Sequence, residues 1–318
     1  MINSVFADKA VLAAAARRVQ NYIHHTPLIS CATIDRICGC EIVFKCENFQ
    51  KAGAFKSRGA ANAVFWLVEN GFKGSVATHS SGNHAQALSR VALHAGIAAH
   101  VVMPENSLMS KINATEEYKA QITFCKPTLD AREATLHEVM AATGAVEIHP
   151  YDNPDIIAGQ ATCAMEILDE YKPDFMLAPV GGGGLLSGTA LAAAHSGHPV
   201  KVIGAEPAGA ADAFESFRTK TFVPSVNPKT IADGLLTSLG KLTFPLILQH
   251  VSDILLADEN EITEAMRLLW ERAKIMAEPS SAVPLAVVKA NPGIFKNKKV
   301  CIIISGGNVD LDHLPWTH

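Results

Sequence analysis

The sequence has no long uninterrupted apolar run. Its longest apolar stretches are too short, or too broken by polar residues, to cross a bilayer, and the start of the chain lacks the basic-then-apolar pattern of a secretory leader. A cytoplasmic protein without membrane contact is therefore expected. Excess charge of either sign is missing too. Its 27 Lys plus Arg face 31 Asp plus Glu, a formal net charge of −4 with no basic cluster, which argues against a nucleic-acid surface. The seven cysteines (Cys31, Cys38, Cys40, Cys46, Cys125, Cys163, Cys301) are odd in number and mostly sit within apolar runs. Cys38-Gly39-Cys40 misses the C-x-x-C spacing, so packed, reduced thiols are expected rather than disulfides or zinc. No internal repeat and no low-complexity linker is present.

What the chain does have is enough length and apolar content for a large core. It holds 318 residues, 48% hydrophobic and 18% charged, which suits one or two soluble domains. Helix and strand signals alternate. Helical spacing over 8–22, 60–70, 83–95, 131–143, 157–171 and 184–194 is interleaved with short apolar runs at 41–45, 76–78, 99–103, 122–124, 146–148, 175–179, 200–205 and 300–304. Gly71 and Gly96 sit where helix C-caps are expected. Strand, helix, strand in this order implies an α/β fold with parallel sheets and right-handed crossovers.

The chemistry concentrates in four short segments. Lys51-Ala52-Gly53-Ala54-Phe55-Lys56-Ser57-Arg58-Gly59-Ala60 places Lys56 at the turn into a helix, between small residues and an apolar neighbour. Partial desolvation, and the neighbouring cations Lys51 and Arg58, would disfavour its ammonium form and leave an amine able to attack an aldehyde. Ser80-Ser81-Gly82-Asn83-His84-Ala85-Gln86, Gly181-Gly182-Gly183-Gly184-Leu185 and Ser305-Gly306-Gly307-Asn308 each follow an apolar, strand-like run. Ligands of open α/β sheets bind at the carboxyl ends of strands, so the four loops are expected to converge on one crevice. The tetraglycine can turn backbone N–H groups toward a phosphate at a helix start. It lacks the Lys-Ser/Thr of a P-loop, and the G-x-G-x-x-G of a leading nicotinamide-binding unit is absent.

Taken together, in order and spacing, these four segments resemble the fold-type II pyridoxal-phosphate enzymes, and within them the serine racemase and serine/threonine dehydratase branch. The resemblance runs from about His24-His25-Thr26-Pro27-Leu28 to Asp310. It implies a fold similar to tryptophan synthase β: two open twisted, mostly parallel sheets flanked by helices. It also implies a large cofactor-binding domain from residues 1–73 and 152–318, and a small mobile domain from 74–151. By the same resemblance Lys56 binds the aldehyde of pyridoxal 5'-phosphate and then acts as a base. Phe55 packs beside it, and Gly181, Gly182, Gly183, Gly184 and Leu185 hold the phosphate. Asn83 touches the ring hydroxyl and Ser305 the pyridine nitrogen. A serine there, in place of an aspartate, makes the ring a weaker electron sink and favours prompt loss of a β-hydroxyl.

Ser81 corresponds to the acid/base on the opposite substrate face in racemase-like members; a helix cap is its structural alternative. Ser80, Ser81, Asn83, His84 and Arg132 are the expected substrate-binding residues, although His84 suits a structural role equally and Arg132 a helix-surface ion pair. Glu206, the carbonyl of Ala210 and Asp212 match positions that hold Mg²⁺ or Ca²⁺ in this branch. The implied activity is deamination of a small β-hydroxy amino acid to a 2-oxo acid and ammonia, with serine racemisation or L-threo-3-hydroxyaspartate dehydration as alternatives. A cofactor-binding protein without turnover and an interaction scaffold are the non-enzyme alternatives. A homodimer is implied; ATP activation occurs in the branch, but no local motif supports it here. Nothing after Ser305 is long enough for the regulatory domain of biosynthetic threonine deaminases, and Ser57 stands where cysteine synthases carry asparagine.

Overall fold

The computed structural model describes residues 6, 8–107 and 109–317. Its first elements are helix α1 (Lys9–Val19), strand β1 (Leu28–Ser30), helix α2 (Ala32–Cys38) and strand β2 (Glu41–Cys46). Helix α3 (Lys56–Glu69) leads into β3 (Val76–His79), α4 (Asn83–Ala95), β4 (Ala99–Pro104) and α5 (Met109–Glu117). Next come β5 (Gln121–Cys125), α6 (Leu129–Thr143), β6 (Val146–Glu147) and α7 (Pro154–Glu170). Then follow β7 (Phe175–Pro179), α8 (Gly184–His195), β8 (Lys201–Pro207), α9 (Asp212–Thr219), α10 (Thr243–His250) and β9 (Asp253–Ala257). The chain closes with α11 (Glu259–Leu268), α12 (Pro279–Ala290), the single turn α13 (Pro292–Phe295) and β10 (Lys299–Ile304).

Two sheets result, as the α/β reading expects. The larger has the order β1-β2-β10-β7-β8-β9 and is parallel except for β1, which runs antiparallel to β2. The smaller, β5-β4-β3-β6, is parallel throughout. Alternation along β10 shows how the large sheet is covered on both faces. Val300, Ile302 and Ile304 pack with α2, α11 and α12, while Cys301 and Ile303 pack with α1, α7 and α8. A third core joins Ala60, Ala61 and Val64 of α3 to Val76 of β3 and Leu88 and Val91 of α4. Helix α3 therefore contacts the small sheet as well as the large one.

Helix ends follow local chemistry. Asp8 accepts from the Ala10 N–H at 2.8 Å at the start of α1, and Gly96 (φ 72°) ends α4. The expected helix from Ala60 begins four residues earlier, at Lys56. No periodic signal announces β9 or α10–α12; in α12, Ser280 to Val288 are all buried, so it lacks a polar face to mark its period.

The start of α3 is held by buried charge. Arg58, fully buried, donates from Nε and Nη2 to both oxygens of Glu47 (2.7 and 2.8 Å) and from Nη1 and Nη2 to Glu166 of α7 (2.6 and 2.8 Å). Lys45, also fully buried, donates to Glu166 at 2.5 Å and to the Thr26 carbonyl at 2.7 Å. Two cations and two carboxylates balance, and the fork geometry satisfies both acids. Beside this cluster α3 and α7 pack almost backbone to backbone, for a Cβ on Gly159 would lie 2.6 Å from the Gly59 Cα. Replacing Arg58 by Leu leaves Glu47 buried without its cation. We expect a loss of about 3–5 kcal/mol of unfolding free energy in denaturant titration; a loss below ~1 kcal/mol would show that the cluster does not hold the helix.

Candidate active site

Four strand ends supply the site. Strand β2 runs through a turn to Lys56, β3 opens into Ser80–Asn83, β7 into the tetraglycine and β10 into Ser305–Asn308. Backbone contacts tie these loops together. The Phe55 N–H donates to the Ser305 carbonyl at 2.9 Å, and the Gly307 N–H to Gly53 at 3.0 Å. Asn308 Nδ2 donates to the Ala52 carbonyl (2.9 Å) and to Asn83 Oδ1 (2.8 Å). The loops thus converge on one crevice, as strand-end binding requires.

Lys56 is the first residue of α3 and half-buried. Its Nζ donates to the Pro150 carbonyl at 2.8 Å and lies 5.1 Å from the centre of the Phe55 ring. Desolvation lowers its pKa to about 8, and Glu278 opposes the shift. The expected cause is corrected here. Arg58, two residues along the helix, points instead into the Glu47–Glu166 cluster, and Lys51 adds nothing to the shift. Burial alone produces the reactive amine.

The Gly182 Cβ position lies 2.3 Å from the Tyr151 ring, and Gly183 has φ 87°, a left-handed turn that only glycine adopts without strain. Helix α8 starts at Gly184 with no side-chain cap, so its first N–H groups are open to an anion. Leu185 is buried in the core beneath them. Thr243 Oγ1 donates to the Gly182 carbonyl at 2.8 Å and braces the loop.

Ser305, 2% exposed, has its Oγ 2.9 Å from Ser281 Oγ, which in turn accepts from the Gly306 N–H at 2.8 Å. Ser80 and Ser81 are half-buried. Gly82, rather than Ser81, occupies the cap position of α4, without a side-chain cap, so Ser81 is not spent on the helix end. Asn83 Nδ2 donates to both oxygens of Glu278 at 2.9 and 3.2 Å. Burial raises the Glu278 pKa to about 7, with Asp233 adding to the rise and Asn83 opposing it.

His84 is buried. Its Nε2 pairs with the Ile148 carbonyl at 3.0 Å, and desolvation lowers its pKa to about 3. That contact gives the structural role a partner, while Nδ1 has none. Arg132 lies on α6; its buried Nε is unpaired, and its charge, after burial, holds down the pKa of His79. No hydrogen bond joins Arg132 to the Ser80–Asn83 loop among the described residues.

Glu206, Ala210 and Asp212 lie at the end of β8 and the start of α9. The two Glu206 oxygens accept from the Ala213 and Phe214 N–H groups at 2.8 and 2.7 Å, while Asp212 Oδ2 is buried without a partner. Burial raises the pKa of Glu206 to about 8 and of Asp212 to about 6.

Several of these side chains carry no signal in the sequence. Glu278 and Ser281 lie over 20 residues upstream of Ser305 and meet the loops only through folding. Tyr151 stands in a stretch marked only as proline punctuation, Pro150 to Pro154.

A lysine amine, an uncapped glycine-rich helix start and a buried serine pair form the donor set that pyridoxal phosphate requires: aldehyde partner, phosphate cradle and ring-nitrogen partner. Residues 19–306 match the pyridoxal-phosphate dependent enzyme family, and the chain belongs to it. It is 46% identical over 304 residues to the β-hydroxyaspartate dehydratase of Paracoccus denitrificans, covering 95% of this chain and 96% of that protein. It is likewise 46% identical over 308 residues to the serine racemase of Dictyostelium discoideum, covering 94% of each. The crystal structure of a serine racemase from Dictyostelium discoideum superposes with a TM-score of 0.90 at 45% identity, over 95% of this chain and 98% of the other. The maize serine racemase structure superposes with a TM-score of 0.93 at 39% identity, over 96% of this chain and 94% of the other. A bacterial-type threonine deaminase structure (from T.th.) gives a TM-score of 0.91 at 37% identity, over 96% and 99%.

The electrostatics of Lys56 can be read without the cofactor. Since its pKa falls to about 8 from 10.5, the free amine is half-populated near pH 8. In a formaldehyde–borohydride modification series, located by peptide mass spectrometry, Lys56 should reach half its maximal rate near that pH, while exposed lysines continue to climb. A Lys56 midpoint at the ordinary lysine value would show that the pocket does not desolvate it.

Proposed function

We propose that this chain deaminates a small β-hydroxy amino acid to a 2-oxo acid and ammonia, and that the same site can invert the α-carbon. The observation that carries the reading is the desolvated Lys56 amine facing a glycine cradle and a serine pair. When bound, pyridoxal phosphate supplies the electron sink that makes the α-proton of an amino acid acidic. The residues do the rest. Gly181 to Gly184 and the α8 start would hold the phosphate, Phe55 would flank the ring, and Asn83 and Ser305 would fix its edges. The open N–H groups at the start of α4, with Ser80, Asn83 and Arg132, suit the substrate carboxylate. Lys56 Nζ takes the α-proton on one face, and Ser81 Oγ would return one on the other. His84 then acts as a support, anchored on Ile148.

The relatives' names favour serine, threonine and 3-hydroxyaspartate as substrates, which differ only at the β-carbon. A methyl group there is worth about 1–3 kcal/mol of discrimination. The tests are direct. Lys56→Ala should lower oxo-acid release from L-serine or L-threo-3-hydroxyaspartate by at least about 10²–10⁴-fold. Ser81→Ala should abolish formation of the opposite enantiomer while oxo-acid release persists. If Ser81→Ala racemises at the parent rate, the second acid/base lies elsewhere.

Residues 74–151 are proposed to close over the substrate as a unit within the cytoplasmic homodimer that the resemblance implies. Lys111 of α5 pairs with Asp233 across the cleft, and Asp233 is half exposed. An exposed pair of this kind is worth about 0–1 kcal/mol, weak enough to open in each turnover. Among the described residues no helix is long and apolar enough to cross a membrane.

The Glu206–Ala210–Asp212 group fits Mg²⁺ or Ca²⁺, because ionising two buried carboxylates, one with an orphaned oxygen, is unfavourable without a cation. We expect either ion to raise the melting temperature, excess EDTA to lower it, and Asp212→Asn to remove the response. A melting curve indifferent to both ion and chelator would count against a metal there.

A further inference from the structure

His149 is half-buried just beyond β6, and its ring is engaged in an unusual way. Its Nδ1 accepts hydrogen bonds from two successive backbone N–H groups, Tyr151 at 3.3 Å and Asp152 at 2.8 Å. Asparagine and aspartate often close turns by accepting from the backbone two residues on; here an imidazole does so. The closed turn then delivers three groups. The Pro150 carbonyl accepts from Lys56 Nζ at 2.8 Å. The Tyr151 side chain packs on the tetraglycine, within 2.3 Å of a Cβ at Gly182 and 3.0 Å of one at Gly184. The Asp152 carboxylate accepts from the N–H groups of Leu242 (2.7 Å) and Lys241 (3.0 Å), next to Thr243, which braces Gly182.

We infer that His149 is a positioning residue: its Nδ1 lone pair sets the 150–152 turn, and through that turn the spacing between the Lys56 amine and the tetraglycine. The inference rests on reading those two groups as the cofactor site. A rival use of the same ring is a cation site, because ligand atoms of His79, Glu147 and His149 lie within 4.8 Å of one another. The hydrogen bonds decide between them. A neutral imidazole that spends Nδ1 as an acceptor carries its proton on Nε2 and has no lone pair left for a metal. Burial also keeps the ring neutral, with its pKa lowered to about 4, so the acceptor persists across the working pH range.

The test joins a tautomer measurement to two variants of the full chain. In ¹⁵N-histidine spectra of the wild-type protein, His149 should be protonated at Nε2 and bare at Nδ1. His149→Ala removes the acceptor; His149→Asn puts an amide oxygen near the Nδ1 position and has no counterpart of Nε2. Absorbance titration of cofactor-stripped protein with pyridoxal phosphate should show His149→Ala weakened by about tenfold or more and His149→Asn by less than about threefold. Proton on Nδ1, equal losses in both variants, no loss in either, or a stoichiometric bound metal that His149→Asn releases would each overturn the inference. Should His149→Ala not fold, the tautomer and the asparagine variant still decide. Wild-type protein that takes up no cofactor would defeat the site reading instead, while the tautomer would still judge what closes the turn.

Discussion

One buried guanidinium organises the reactive end of this molecule. Arg58 lies about half a helical turn beyond Lys56, and its fork fixes α3 to Glu47 on one side and to Glu166 of α7 on the other. With Lys45 it forms a closed, neutral set of charges, so the start of α3 cannot shift without unpairing a buried ion. The reactive amine is thereby held in a place set by the large sheet and its helices. Helix α3 also shares a core with the small sheet, so it reports the position of both. The remaining contacts of Lys56 come from the 150–152 turn, where the chain returns from the small sheet to α7. The lysine sits where the two sheets meet.

That placement explains the economy of the site. Lys56 owes its lowered pKa to desolvation, and the one charge acting on it, Glu278, pulls the other way. Glu278 itself titrates near neutrality and holds Asn83, which Asn308 holds in turn. Each loop is thus locked by a neighbour from a distant part of the chain, and the substrate side of the crevice, at Ser80 to Gly82, is the least tied down. A rigid cofactor floor with a looser substrate wall is the arrangement a closing enzyme requires.

Much of this is legible in the sequence, for a physical reason. Strand-then-glycine segments encode their own geometry: an apolar run buries, and the glycines that follow permit the turn. So β7, Phe175–Pro179, and the tetraglycine stand where they are expected. Lys56 is visible because its neighbours are small. What stays hidden comes from long-range contacts, for nothing near Ser305 announces Ser281, and nothing near Asn83 announces Glu278. Arg58 misleads for the opposite reason. Adjacent in sequence, it reads as a cation pressing on Lys56, yet residues two apart on a helix face different ways. The carboxylates Glu206 and Asp212 are legible as residues, while the use of both Glu206 oxygens to receive the first N–H groups of α9 is not.

All of this turns on one proposal, that Lys56 is the residue to which the cofactor is joined. Borohydride reduction of the purified yellow protein, followed by peptide mass mapping, tests it without any assay of turnover. One pyridoxyl group per chain, on Lys56, is the expected result. A pyridoxyl group on any other lysine, or none in a protein that has bound the cofactor, would contradict it.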